Sequence, residues 1–143
     1  MKLKEIYNQI KESDDTDYRG SHRAPDKRSG SPLYDVTLNG IYPDDVYSRQ
    51  GIQYYGDGGS LDRLNFATIQ KYHNKPNAMI TIYRSVPGHV DKINVGDWVG
   101  ITKQYVKEHG AGEEGWKVLT MKVKAKDIYT EGNSLSEWGY DPT

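Results

Sequence analysis

The sequence predicts an α+β fold, with helices early and strands late. Two stretches in the first half space their apolar residues as helices do, and three in the second half are β-branched or alternate strictly. At 143 residues the chain suits a single domain, 1–143, large enough for one core but not for two.

The elements follow in order. "MKLKEIYNQIKES" sets Leu3, Ile6, Tyr7 and Ile10 on one helical face. From Asp14 to about Asp57 both helix and strand signals fade, and Pro25, Pro32 and Pro43 mark turns. Tyr18, Tyr34, Tyr42, Tyr47, Tyr54 and Tyr55 lie in that stretch, so it reads as a long ordered loop that packs rather than a disordered linker. A second helix starts at Ser60, its expected N-cap, and buries Leu61, Leu64, Ile69 and Tyr72. "MITIYRSV" reads as a strand to Val86, and "VGDWVGI" as another. "TKQYVKEHG" is a short helix, capped by Thr102 and stopped by Gly110. In "KVLTMKVKAKDIYT", Leu119, Met121 and Val123 alternate with Thr120, Lys122 and Lys124, the pattern of a half-buried strand.

Composition removes several function classes. The net charge of −1 gives no overall basic field for nucleic acid. No apolar run is long enough for a membrane helix, and "MKLKEIYNQI" lacks the core of a signal peptide, so a cytoplasmic location is expected. With no cysteine, thiolate catalysis, thiolate zinc sites and disulfides are absent. His22, His73, His89 and His109 are scattered, and "DDTD" lacks the glycine and distal glutamate of a calcium loop, so no metal is expected. "YGDGGS" is not a phosphate loop, and no G-x-S-x-G elbow occurs.

Three polar positions at the ends of the late strands remain. Arg84 closes "ITIYR", Thr102 closes "VGDWVGIT", and Glu137 stands in "LSEWGY". Each has a plain alternative: Arg84 paired with a structural carboxylate, Thr102 only capping its helix, Glu137 on the surface. Alternation along a strand would point Glu137 and Trp138 opposite ways, making Trp138 a core anchor rather than a wall of a site. Trp98 and Tyr105 are the other rings near these motifs and either could stack on a planar ring, with core packing favoured for Trp98 and Tyr105 evenly placed. Arg19, His22 and Arg23 form a small basic cluster in the loop, either solvated or able to approach a pyrophosphate.

In this order, aromatic–Arg on a strand, hydroxyl at a strand-to-helix turn and late Glu, the trio resembles the Arg–Ser–Glu group of mono-ADP-ribosyltransferases. The blocks "YRSVP", "INVGDWV" and "EWGY", preceded by "SHRAPDKRSGSPLYD", "IYPDDVYS" and "YYGDGG", resemble ADP-ribosyltransferase-like modules of bacteriophage and prophage proteins across most of residues 18–142. The resemblance implies a compact mixed or antiparallel β core of that type, with short N-terminal helices. It implies NAD as co-substrate, with Glu137 as the catalytic carboxylate, Arg84 on the phosphates or nicotinamide-side ribose, and Thr102 shaping the nicotinamide pocket. Tyr105, Arg19, His22 and Arg23 would be further NAD contacts. Thr102 replaces the family's serine, and Leu135 stands where arginine-modifying members carry Glu or Gln, which points away from arginine as acceptor. The implied activity is mono-ADP-ribosylation of a host protein or nucleic acid in the bacterial cytoplasm. The alternative is a non-catalytic relative that inhibits a host defence protein or captures a nucleotide. A third reading, an interaction domain with a chance likeness, goes with Arg84 and Glu137 on opposite faces. For the enzyme, Arg84, Thr102 and Glu137 should line one cleft of roughly 300–1,000 Å³.

Overall fold

A computed structural model describes residues 23–51, 60–109, 114–132 and 134–142. Strands β1 (Ser31–Pro32), β2 (Met79–Pro87), β3 (Trp98–Val99), β4 (Trp116–Lys124), β5 (Ile128–Thr130) and β6 (Trp138–Tyr140) accompany helices α1 (Ser60–Lys71) and α2 (Lys103–His109). The strands form a four-stranded sheet in the order β1-β5-β6-β3 and a two-stranded ribbon of β2 and β4, with every pairing antiparallel. The α+β class is therefore what the chain adopts. Tyr83 and Gly100 exchange backbone hydrogen bonds of 3.0 and 2.8 Å, which tie the ribbon to the β3 side of the sheet.

Two predicted strands are interrupted, for local reasons. "VGDWVGI" pairs only over Trp98–Val99, with the Gly100 bridge beyond. Ahead of it Gly96 takes a positive φ of 90°, and the Asp97 carboxylate accepts the Asn94 N–H at 2.8 Å, so residues 94–97 turn instead of extending. The long run from Lys117 to Thr130 breaks at a 3₁₀ turn, Ala125–Asp127. There the Ala125 and Lys126 amides leave the ladder for the carbonyls of Ala78 and Pro76, and the chain crosses from ribbon to sheet.

The loop after Arg23 packs as its aromatics suggested. Leu33, Val36 and Val46 are fully buried and Tyr42 nearly so, against Ile69, Ile82, Ile128 and Trp138. Helix α1 is rotated from its predicted face. Asn65, Phe66, Ile69 and Tyr72 are buried, whereas Leu64 is 46% exposed. The asparagine turns inward because its amide donates to Ser136 Oγ at 2.7 Å, and Tyr72 donates to the Met79 carbonyl at 2.8 Å. Those two bonds set the roll of the helix better than the leucines do. The helix expected over residues 1–13, the N-cap role of Ser60, the Gly110 stop and the aromatics Tyr18, Tyr54 and Tyr55 lie outside the described residues or side chains.

Gly139 has a packing reason to be glycine. A Cβ there would collide with the Pro25 carbonyl, which lies directly on β6. Gly139→Ala should force the Pro25 segment off the strand at a cost of about 1–3 kcal/mol. Chemical denaturation measures this, and an unchanged midpoint would show that Pro25 does not seat there.

Candidate active site

β6 is the axis of the site. Its register, Trp98 opposite Gly139 and Val99 opposite Trp138, divides the side chains between two faces. Trp138 points into the core, fully buried, and its indole N–H donates to the Leu135 carbonyl at 3.0 Å. It is the anchor. Glu137, one residue earlier, takes the other face with Trp98. The two border a shallow indentation of about 10 Å³, room for about one water, together with Pro25, Thr130, Glu131 and Ser134.

Glu137 is held from above by α2. The Tyr105 phenol donates to Glu137 Oε1 at 2.6 Å, which fixes one carboxylate oxygen. The helix can come this close because Gly100 lacks a side chain: a Cβ there would lie 2.7 Å from Val106 Cγ2. Burial, followed by the hydrogen bond to Glu137 and that residue's charge, pushes the Tyr105 pKa well above the usual phenol value. Tyr105 therefore remains a donor at every pH at which an enzyme works. Tyr47 is pushed up to about 12, mainly by burial. For both, the folded pKa exceeds the unfolded value, so their stabilisation is complete below about pH 10 and is lost as pH rises further. Melting temperature should fall above about pH 10, and Tyr105→Phe should flatten that decline in thermal melts across the alkaline range. An identical slope in the variant would mean that Tyr105 titrates normally.

Glu131 is the residue that motif reading missed. β5 and β6 pair Ile128 with Tyr140 and Tyr129 with Gly139, a hairpin symmetric about Ser134. Continued toward the turn, that symmetry sets Glu131 across from Glu137. Glu131 Oε1 accepts the Ser29 hydroxyl at 2.8 Å. The signal was present in "EGNSLSE", two glutamates equidistant from a turn, but it needs the pairing to be known.

Arg84 has a different setting. Tyr83 pairs with Gly100, so alternation sends Arg84 to the Trp138 face, opposite Glu137. Its Nη1 donates to the Trp98 carbonyl at 2.7 Å, and its Nε lies 3.6 Å from Asp97 Oδ2, with the two side chains 15% and 5% exposed. Pairing with a structural carboxylate, the plain alternative for Arg84, is what the geometry gives. Thr102 lies just ahead of α2, yet its buried Oγ1 has no hydrogen-bond partner among the described residues, so the expected side-chain cap is not made. The Thr102 and Ser136 carbonyls both approach Gly100, which brings the Thr102 and Glu137 segments side by side. Neither Arg84 nor Thr102 borders the indentation with Glu137, and its volume lies below that of the expected cleft. Arg23 is exposed, while Arg19 and His22 lie outside the described residues. Leu135 is buried in the core, which accounts for an apolar residue two positions before Glu137.

Among the described residues, no group of three or more His, Asp or Glu comes together, and no helix is long and apolar enough to cross a membrane. No family model, curated protein or solved structure matches the chain.

Proposed function

We propose that the chain cleaves the nicotinamide–ribose bond of NAD and transfers ADP-ribose to a macromolecule, as a mono-ADP-ribosyltransferase of phage or prophage type. The observation that carries this reading is the Glu137 carboxylate, oriented by the half-buried Tyr105 phenol at 2.6 Å on the same face as Trp98. The antiparallel sheets meeting at Tyr83 and Gly100 support the corresponding ADP-ribosyltransferase-like core.

In this reading the C1′–N bond breaks, its electron pair leaves with neutral nicotinamide, and positive charge develops on the ribose. A fixed carboxylate stabilises that charge most where water is scarce. Trp98 offers a stacking surface for the nicotinamide ring. The acceptor's nucleophile then bonds to C1′ and gives up its proton, for which the Glu131 carboxylate on the opposite bank is a base within the same site. Arg84 acts here as a positioning residue, locking the Trp98 carbonyl and the 94–97 turn rather than gripping phosphate.

The test is incubation of the folded protein with NAD, with and without bacterial lysate, followed by assay of free nicotinamide and labelled macromolecules. Release of nicotinamide supports the enzyme. Arg84, paired with Asp97 on the face opposite Glu137, favours the other reading set out above, an interaction domain whose likeness to the family is by chance. NAD left intact in both arms would select it.

A further inference from the structure

The β2–β4 ribbon is a local exception to the charge of the chain. Its two strands of 9 residues each contain Arg84, Lys117, Lys122 and Lys124 and no carboxylate; Arg84 and Lys117 pair with Asp97 and Asp91 from neighbouring segments, so the positive charge of the outer face rests on Lys122 and Lys124. The register separates two faces. Ile80, Ile82, Val86 and Val123 turn into the core, whereas Lys122, Lys124 and Thr120 are exposed opposite Thr81, Met79 and Tyr83. At the Met79 end, the Ala125 and Lys126 amides bond to the Ala78 and Pro76 carbonyls. That fold-back places exposed Lys75 and half-buried Lys126 beside Lys124. At the other end of this face stands half-buried Tyr83, bonded to Gly100 and on the same side of the sheet as Glu137, where α2 packs against β2.

We propose that this outer face binds single-stranded nucleic acid and, on the NAD-cleavage reading above, delivers it to Glu137 as the acceptor. Lys122 and Lys124, at alternate positions, stand about 6.7 Å apart along one side of β4, a short row of two charges that suits successive phosphates of a backbone. Threonine hydroxyls lie between the row and Tyr83, and the tyrosine ring offers a surface on which a base can stack. A lipid headgroup layer fits less well, because Met79 is the one large apolar side chain that this face exposes among the described residues.

The test measures fluorescence anisotropy of a labelled single-stranded RNA with the full chain, across a salt series, beside co-sedimentation with anionic vesicles. The wild type should bind RNA with an affinity that falls as salt rises. In the Lys122→Ala/Lys124→Ala double variant, the slope of log affinity against log salt should shrink by about 1.4, two phosphate contacts at about 0.7 each. That corresponds to roughly 25-fold weaker binding near 0.1 M salt. Both lysines are exposed, so the melting temperature should hold. No RNA binding at low salt, an unchanged slope in the variant, or binding to vesicles but not RNA would each overturn the proposal. Nicotinamide release without RNA is read in parallel. NAD cleaved with RNA unbound removes this inference alone, and RNA bound with NAD intact removes only the catalytic reading.

Discussion

Glu137→Gln is expected to slow NAD cleavage by roughly 10²–10³, or about 2.7–4 kcal/mol of transition-state stabilisation, by analogy with loss of an oxyanion-hole donor. Glutamine keeps the size of the side chain and an oxygen that still accepts the Tyr105 hydroxyl, so the hydrogen bond at 2.6 Å has a replacement. What disappears is the negative charge. NAD in its ground state carries no developing ribose cation, so its affinity should hold while turnover falls. The melting temperature should stay near that of the wild type, because the packing beneath the site belongs to Trp138 and Leu135 and not to the glutamate. Nicotinamide release at saturating NAD, with a binding isotherm and a thermal melt on the same sample, separates these effects. Undiminished cleavage would remove Glu137 from the chemistry. An unfolded variant would make it a structural partner of Tyr105 and α2.

The parts of this molecule legible in its sequence depend on local pattern. The strand over Met79–Pro87 and the alternation of Leu119, Met121 and Val123 follow from side-chain period alone, as does the opposition of Glu137 and Trp138. What stayed hidden depends on residues far apart in the chain. Asn65 is buried because Ser136 accepts its amide, and no helical periodicity reports that bond. Glu131 joins the site through a hairpin register, and Asp97 becomes the partner of Arg84 only when β2 and β3 lie together. The resemblance supplied Arg84, Thr102 and Glu137 as a set. The geometry puts Glu137 at the indentation, Arg84 on the reverse face, and Thr102 with a buried hydroxyl at the start of α2.

Arg84→Met should destabilise the protein by roughly 2–4 kcal/mol, toward the lower side of what breaking a fully buried ion pair costs. The variant leaves the Asp97 carboxylate, only 5% exposed, without its guanidinium partner, and frees the Trp98 carbonyl from its Nη1 donor. The Asn94 amide still donates to Asp97, and Arg84 itself keeps 15% exposure, so the loss stays short of the extreme. Removing both charges should be cheaper than removing one. Arg84→Met/Asp97→Asn should regain part of the stability, because no buried charge is then left unpaired. Chemical denaturation of the four proteins gives the coupling energy directly. A guanidinium that instead serves mainly as a phosphate clamp would give a different pattern: a raised KM for NAD at unaltered stability, and no coupling to Asp97. Arg84→Lys sharpens the distinction. Lysine retains a charge for phosphate but lacks the planar fork that spans both the Trp98 carbonyl and Asp97, so a positioning role predicts a lower melting temperature with that variant as well.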